Sequence, residues 1–275
     1  MELTEEQMER YSRHIILKDV GVKGQKKLLN AKVLIIGAGG LGSPVAMYLA
    51  AAGVGTIGIA DADTVDLSNL QRQILHRTED IGREKVRSAQ ETMQAINPGV
   101  VVHTFQVRIT SENVLKLIKE YDFIIDATDN FSTKFLINDA CVMARQPFSH
   151  AGIIGFKGQL MTYVPDEGPC YRCIFREVPP KDTVPTCKQT GIVGAMAGII
   201  GSLQAMEAIK YIVGVGKLLT GYLLTYDALN QEFRKIKLPT DTGDCPVCGG
   251  HPTITALTDD EPTVCQCQCE GKNEC

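Results

Sequence analysis

The sequence lacks an apolar run long enough to span a membrane. Its most apolar stretch, residues 191–201, is followed by Ser202, Gln204, Glu207 and Lys210, whereas a membrane helix needs about 20 mostly apolar residues. We therefore predict a buried helix here and no membrane among the partners. The acidic amino terminus, MELTEE, does not fit a secretory or transit peptide. We expect a cytoplasmic protein.

An excess of positive charge is also missing. The chain has 28 Lys and Arg against 32 Asp and Glu, a formal net charge of −4, so it offers no general attraction for phosphate backbones. We therefore expect no nucleic acid partner. The 44% hydrophobic and 22% charged residues are typical of a folded globular protein.

Short apolar segments alternate with helical segments along the first 150 residues. Strands are predicted at residues 32–36, 56–60, 100–107 and 123–126, and helices at 4–16, 44–52, 84–96, 113–119 and 131–144. This alternation predicts an α/β fold, a Rossmann-like, doubly wound and mostly parallel sheet with helices on both faces. Further short strands at 159–164, 222–226 and 232–238 predict an antiparallel carboxy-terminal extension of that sheet.

We divide the chain into three parts. Residues 1–30 are predicted to form an amino-terminal helical arm, residues 31–250 the main domain, and residues 251–275 a flexible tail that contains cysteines. A loop crossing the main domain is predicted at about residues 175–190, because the prolines within 178–185 exclude a regular helix.

The first predicted strand runs into a glycine-rich turn. Gly37, Gly39 and Gly42 match the pattern G-x-G-x-x-G, with Gly40 inside it. Glycine lets a backbone approach phosphates closely, and the helix that follows attracts anions. The turn favours a nucleotide site over a merely tight junction. Asp61, which ends the next strand, can accept from ribose hydroxyls in either NAD or ATP.

The residues after this aspartate favour a triphosphate. Arg72 and Lys85 supply positive charge, Asn69 and Gln73 supply neutral polar groups, and Asp63 supplies a carboxylate for a metal or a ribose. A dehydrogenase has no use for this set. A solvated charged loop is the alternative.

Acidic residues also follow the fourth predicted strand, where doubly wound sheets bind ligands. Asp129 can hold a magnesium ion that bridges phosphates. A helix cap before Phe131 is the alternative, and Asn130 can serve as that cap.

The ten cysteines include two C-x-x-C pairs. Cys170, Cys173, Cys245 and Cys248 are the ligand set of a structural zinc ion, with a redox pair as the alternative. Cys187 lies on the proline-containing loop and is a candidate nucleophile, although a lone cysteine is more often a bystander. Cys141 is predicted to be in the core, and the tail carries Cys265, Cys267, Cys269 and Cys275.

Together these segments resemble the ThiF/MoeB/HesA family of adenylyltransferases, which are relatives of the ubiquitin-activating enzymes. The resemblance covers about residues 4–250. It rests on the segment RYSRHIIL at 10–17, the glycine turn, residues 61–73, Lys85, residues 128–130, both C-x-x-C pairs and the segment GSLQAMEAIK at 201–210.

The resemblance implies ATP- and Mg²⁺-dependent adenylation of the C-terminal glycine carboxylate of a ubiquitin-like sulfur-carrier protein that ends in Gly-Gly. Pyrophosphate is released, and the adenylate then accepts sulfur to give a thiocarboxylate. The resemblance also implies a homodimer in which Arg13 reaches the neighbouring subunit's ATP site. Cys187 matches a loop cysteine that forms a covalent link in some members.

The resemblance assigns to ATP the residues Gly40, Asp61, Ser68, Asn69, Leu70, Gln71, Arg72, Lys85, Asp129 and Asn130, with Asp129 on magnesium. The residue types add Gly37, Gly39, Gly42, Asp63 and Gln73 to this predicted site. Arg13, Arg72, Lys85, Asp129 and Cys187 are the predicted catalytic residues.

The sequence departs from the family in two ways. No rhodanese-like domain follows Gly250, so we expect a separate sulfur donor protein, and the cysteine-containing tail has no counterpart. Three other functions stay open: adenylation of a small molecule or modified tRNA base, a nicotinamide-dependent oxidoreductase, and a non-catalytic binding module for a ubiquitin-like protein.

Overall fold

The structure is a computed structural model that describes residues 2–180, 190–240 and 242–259. Its strands are β1 (Lys32–Ile36), β2 (Thr56–Ala60), β3 (Val101–Phe105), β4 (Phe123–Asp126), β5 (Phe148–Ile154), β6 (Lys157–Tyr163), β7 (Tyr222–Asp227) and β8 (Glu232–Lys237). Its helices are α1 (Glu5–Arg10), α2 (Ser12–Ile15), α3 (Gly21–Asn30), α4 (Gly42–Ala52), α5 (Lys85–Ile96), α6 (Val114–Ile118), α7 (Phe131–Met143), α8 (Tyr171–Ile174) and α9 (Gly194–Val213).

The eight strands form one sheet in the order β3-β2-β1-β4-β5-β6-β7-β8. The first five strands in this order pair in parallel, and β5 to β8 pair antiparallel. The doubly wound sheet with an antiparallel carboxy-terminal extension is therefore confirmed. Strand β5 was not predicted, because its buried polar residues Ser149 and His150 interrupt the apolar pattern.

Helices cover both faces of the sheet. One apolar cluster packs α4, α5 and α9 against one face through residues such as Val45, Val86 and Ile200. A second cluster packs α6 and α7 against the other face, with Val114 and Ile137 buried. The two faces are thus closed, and the carboxyl ends of the parallel strands are left to form a site.

The single helix predicted over residues 4–16 is wrong, because the chain breaks at Tyr11 between α1 and α2. The Tyr11 ring is buried against Gly53, where an ideal Cβ would lie 2.5 Å from it, and its hydroxyl accepts a hydrogen bond from Asn97 Nδ2 at 2.9 Å. A capping box begins α1, since the Thr4 hydroxyl accepts from the Gln7 N–H at 3.1 Å. Burial of the ring thus turns the chain.

Part of the predicted division cannot be followed along the chain. Residues 181–189 of the predicted crossing loop and residues 260–275 of the predicted tail lie outside the described residues. The boundaries at residues 30 and 250 stay a prediction.

The long helix α9 crosses α4 at a glycine. An ideal Cβ at Gly201 would lie 2.5 Å from Pro44 Cγ and 2.6 Å from the Leu41 carbonyl oxygen. Only glycine allows this approach. In the described part of the chain, no helix is both long and apolar enough to cross a membrane, and α9 itself carries the ion pair Glu207–Lys210.

We expect Gly201→Ala to destabilise the protein by about 1–3 kcal/mol, because the added methyl group forces α9 away from α4. Gly198→Ala is the matched control on the same helix, since nothing lies within 4 Å of its ideal Cβ. The control is expected to stabilise by roughly 0.5–1 kcal/mol through helix propensity. Denaturant midpoints measure both, and equal effects of the two variants would contradict this description of the crossing.

Candidate functional site

The glycine turn joins β1 to α4 through two close backbone approaches. An ideal Cβ at Gly42 would lie 1.9 Å from the Gly37 carbonyl oxygen, and one at Gly37 would lie 2.7 Å from the Ala127 carbonyl oxygen. Gly37 also has a φ of +104°, in the region that favours glycine. These residues therefore fix the turn, and Gly39 and Gly40 present backbone beside it.

The Ser43 side chain does not cap α4. The helix begins at Gly42, and the Ser43 hydroxyl donates to the Gly39 carbonyl at 2.7 Å. The N-cap residue is Leu41, which has no side-chain hydrogen bond to offer. In this first turn the Ser43 N–H donates to the Gly39 carbonyl at 3.0 Å and Pro44 has no N–H, so an anion would meet the helix at the N–H groups that precede Ser43.

Asp61 holds the turn from the end of β2. One carboxylate oxygen accepts from the Ala38 N–H and the other from the Asp63 N–H, each at 2.8 Å. The carboxylate is half-buried and keeps further lone pairs for ribose hydroxyls. Asp61 thus lies directly after β2 and beside the glycine turn.

The predicted nucleotide residues after Asp63 form a compact loop that includes the 3₁₀ helix Leu67–Asn69. The Ser68 hydroxyl donates to Asp66 at 2.6 Å, and Asn69 Oδ1 accepts from the Asp66 N–H at 3.2 Å. These two side chains therefore shape the loop itself. Leu70 is half-buried and Gln71 is exposed.

Gln73 is the buried polar side chain of this loop. Among the residues that the structure describes, its Oε1 atom has no hydrogen-bond partner, and its Nε2 atom lies 3.7 Å from an ideal Cβ at Gly39. A buried amide oxygen without a partner costs free energy. The glycine turn thus carries beside it an acceptor that a bound ligand can satisfy.

The two predicted cations lie close to the turn. Arg72 is half-buried, donates to the Ser68 carbonyl at 3.1 Å, and has its Cγ 3.5 Å from an ideal Cβ at Gly40. Lys85 has a buried side chain and pairs with Asp63, Nζ to Oδ2, at 2.9 Å. Asp63 in turn donates its N–H to Asp61, which holds the turn, so Lys85 is linked to the turn through these two residues. Positive charge near a glycine turn suits a polyphosphate.

The first turn of α9 closes the site from a third side. An ideal Cβ at Gly194 would lie 2.3 Å from the Gln71 carbonyl oxygen, and one at Gly40 would lie 3.3 Å from Ala197 Cβ. Sequence analysis did not place α9 here, because no local pattern signals contact between segments more than 120 residues apart.

Asp126 organises the end of β4. Its carboxylate accepts from the Thr128 N–H and hydroxyl, from Lys134 Nζ and from His150 Nδ1, at distances of 2.7–3.1 Å. Burial would raise the pKa of Asp126, but Lys134, His150 and Thr128 hold it below its ordinary value. Asp126 is thus a buried, ionised anchor for the segment that follows.

That segment presents Asp129 to solvent. In the parts of the chain that the structure describes, the Asp129 carboxylate makes no hydrogen bond or ion pair, so it is available to a metal ion. Asn130 caps α7, since its Oδ1 accepts from the Thr133 N–H at 2.9 Å. Asn130 therefore forms the helix cap that was the alternative role for this segment.

Of the two remaining predicted catalytic residues, the structure describes only Arg13. Arg13 is exposed on α2 and makes no hydrogen bond or ion pair with any described residue. Arg10, in contrast, pairs with Glu6 and donates to the Ile96 carbonyl at 3.2 Å. Cys187 and the four tail cysteines lie outside the described residues.

The two C-x-x-C pairs meet in one four-cysteine cluster. The four Sγ atoms lie within 4.8 Å of one another, with Cys170 3.8 Å from Cys173 and 3.6 Å from Cys245, and Cys173 3.3 Å from Cys248. A tetrahedral ion with about 2.3 Å bonds to sulfur places its ligands about 3.8 Å apart. The cluster can therefore hold a metal ion. These cysteines are free, and Cys141 is buried in the core as predicted.

A doubly wound sheet, a glycine turn with two adjacent cations, and an exposed aspartate at the same sheet edge define a nucleotide-binding α/β protein. Comparison with known proteins narrows this class. The chain belongs to the ThiF family, which it matches over residues 11–247.

Two relatives show how far the likeness extends. The sulfur carrier protein adenylyltransferase of Thermus thermophilus is 46% identical over 266 residues, 95% of this chain and 98% of the relative. The adenylyltransferase and sulfurtransferase MOCS3 of Culex quinquefasciatus is 46% identical over 259 residues, 94% of this chain but 59% of the relative's length. A solved structure of Escherichia coli MccB with ATP has a TM-score of 0.75 and 26% identity, and the likeness covers 87% of this chain and 73% of that one.

We expect protein purified without chelator to carry about one metal ion per chain at the four-cysteine cluster. Because metal binding is coupled to folding, Cys173→Ser is expected to lose the ion and to lower the melting temperature by roughly 10 °C. Cys141→Ala, which alters a buried cysteine outside the cluster, is expected to keep the ion. Elemental analysis and thermal melts measure this. A Cys170–Cys173 disulfide in metal-free wild-type protein would contradict it.

Proposed function

We propose that the chain adenylates the C-terminal glycine carboxylate of a ubiquitin-like sulfur-carrier protein that ends in Gly-Gly, using ATP and Mg²⁺ and releasing pyrophosphate. The observation that carries the proposal is the meeting of the glycine turn, Arg72, Lys85 and the Asp129 segment at one edge of the sheet. The name of the Thermus relative supports the carrier as the acceptor.

The proposed ATP site uses these groups in separate roles. Gly39 and Gly40 lie along the phosphates, with Gly37 and Gly42 fixing the turn. Asp61 accepts from ribose hydroxyls, and Gln73 Oε1 accepts from a donor on the nucleotide. The remaining residues of the proposed ATP site are Asp63, Ser68, Asn69, Leu70, Gln71 and Asn130.

The chemistry needs positioning and charge neutralisation. A carboxylate oxygen of the carrier attacks the α-phosphorus of ATP, and the bond from that phosphorus to the pyrophosphate oxygen breaks. Both reactants are anionic, so Arg72 and Lys85 stabilise the charge that collects at the transferred group. No protein nucleophile is required in this step.

Magnesium and zinc complete the proposed requirements. Asp129, an unpaired and exposed carboxylate within the described residues, would hold Mg²⁺, which neutralises phosphate charge. The four-cysteine cluster, whose sulfur spacing fits tetrahedral ligands, would hold a structural Zn²⁺. The cluster would connect α8 with the segment that follows β8.

Sulfur transfer follows adenylation in this proposal. A separate donor protein delivers sulfur at the oxidation level of hydrosulfide, which attacks the carrier's activated carbonyl carbon. The bond from that carbon to the AMP oxygen breaks, AMP leaves, and a thiocarboxylate forms. Cys187 is proposed to act here and not in adenylation, because the first step uses no thiol.

The proposed active unit is a homodimer in which Arg13 completes the partner's ATP site. The guanidinium supports this role because it is exposed and unpaired among the described residues, while nearby Arg10 is already engaged. Apolar residues exposed beside it, Ile16 and Leu17, add a surface that a second subunit can cover.

Arg72→Ala and Asp129→Ala are each expected to lower ATP–pyrophosphate exchange at least about 100-fold, because each removes charge stabilisation at the reacting phosphate. Arg87→Ala is the matched control. Arg87 is an exposed arginine on α5 that pairs with Glu84 at 3.6 Å, and it is outside the proposed site. Exchange is measured with a panel of small Gly-Gly-ended proteins. Wild-type rates in both site variants would contradict the proposal.

Mixing two inactive variants tests the shared site. Arg13→Ala and Arg72→Ala are each expected to be inactive alone. A heterodimer has one intact site, since the Arg13→Ala subunit keeps Arg72 and receives Arg13 from its partner. Exchange is therefore expected to recover after subunit mixing. If heterodimers form and activity stays at the level of the separate variants, Arg13 does not act across the dimer.

A further inference from the structure

A buried hydrogen-bond chain runs from the glycine turn to α5. His76 Nε2 lies 2.8 Å from the Ala38 carbonyl oxygen, His76 Nδ1 lies 2.8 Å from Ser88 Oγ, and Ser88 Oγ lies 2.8 Å from Asp80 Oδ2. His76, Ser88 and Asp80 are 5%, 1% and 4% exposed. Because all three side chains are buried, a contact that is lost here leaves a polar group without a partner and costs free energy.

Side chains hold both backbone groups of Ala38. Its N–H donates to Asp61, and its carbonyl accepts from His76. The carbonyl oxygen can only accept, so the imidazole must carry a proton on Nε2. His76 thereby fixes the tilt of the peptide unit that opens the glycine turn.

The same imidazole reaches the helix that carries a phosphate-binding lysine. Ser88 lies three residues after Lys85 on α5, which is nearly one helical turn. The chain therefore sets the distance between the glycine turn and Lys85. The proposed adenylation site needs this distance to be constant, since both elements contact the same phosphates.

When His76 is neutral, this hydrogen-bond chain has one proton fewer than its three contacts need. The carboxylate and the carbonyl only accept, so three contacts must share one imidazole N–H and one hydroxyl proton. Burial raises the pKa of Asp80 but the Arg77 N–H, Ser88 and Arg83 lower it more, so Asp80 is ionised. A protonated imidazole supplies the missing donor.

The groups around the imidazole shift the pKa of His76 in both directions. Burial and the charge of Lys85 lower the pKa of His76, and the Ala38 carbonyl, Asp80 and Asp61 oppose that shift, with a net lowering. At neutral pH the Ser88 hydroxyl must therefore choose between Nδ1 and Asp80. Acidification lets all three contacts form at once.

We propose that His76 is a positioning residue for ATP, which holds the glycine turn at a fixed place relative to Lys85 through Ser88. The proposal rests on the proposed adenylation function. It assigns to His76 no contact with ATP and no proton transfer to the reactants.

Three variants separate positioning from general stability. His76→Leu leaves the Ala38 carbonyl unpaired and is expected to raise the KM for ATP at least about tenfold, with the carrier's KM unchanged. His76→Gln, whose amide N–H can replace Nε2–H, is expected to recover that KM to within about threefold of wild type. Ser88→Ala removes the contacts of the Ser88 hydroxyl with His76 and with Asp80 but keeps the contact of His76 with Ala38, and it is expected to raise the KM for ATP by about threefold or more.

The pH profile supplies a readout that a merely structural histidine would not move. The ratio of ATP KM values, His76→Gln over wild type, is expected to rise as the pH falls from 8 to 5.5, because only the wild-type chain gains the third contact. ATP's own titration cancels in this ratio. A constant ratio would count against the proposal.

Ring NMR of the wild-type protein keeps the proposal testable if His76→Leu does not fold. The His76 resonance is identified by its absence in His76→Gln, and it is expected to show the Nε2–H tautomer and a pKa that rises when ATP·Mg saturates the site. A pKa unmoved by bound ATP, or the Nδ1–H tautomer, would overturn the proposal.

Calorimetry with ATP·Mg distinguishes a failure of the proposed adenylation function from a failure of the role assigned to His76. Wild-type protein that binds no ATP refutes the adenylation function, whereas equal ATP affinity in wild type and a folded His76→Leu refutes only the role of His76.

Discussion

The approach of Gly42 to the Gly37 carbonyl oxygen is closer than any side chain allows, with an ideal Cβ at 1.9 Å. Because this turn cannot relax around a larger residue, it fixes where α4 begins. The other parts of the site are positioned by contacts with this turn. Ala38 is tied to Asp61 and to His76, and Gly40 faces Arg72.

Elements distant in sequence are held to this turn by buried contacts and not by flexible surface ion pairs. The Ala127 carbonyl lies against Gly37, so the end of β4 follows the turn, and Asp126 with its four donors holds the Asp129 segment there. The first turn of α9 completes the arrangement. A site built in this way is rigid before ligand arrives, which lowers the entropic cost of aligning two anionic reactants.

Local chemistry let the sequence predict much of this. The strands β1, β2 and β4 have the predicted limits, because each is a short apolar run that ends at a glycine or an aspartate. The two C-x-x-C pairs meet in one cluster, as their pattern indicated. The misses have tertiary causes. Burial of Tyr11 broke a helix whose local pattern was continuous, buried polar residues concealed β5, and no local signal links His76 to Ala38.

The central claim is that a carrier carboxylate attacks the α-phosphorus of ATP at this site, and oxygen labelling tests it most directly. The carrier's terminal carboxylate is labelled with ¹⁸O, incubated with the enzyme, ATP and Mg²⁺, and the adenylate is then cleaved by a sulfur nucleophile. The account predicts one ¹⁸O atom in AMP and none in pyrophosphate. Label in pyrophosphate or inorganic phosphate, or unlabelled AMP from a carrier that has become a thiocarboxylate, would contradict it.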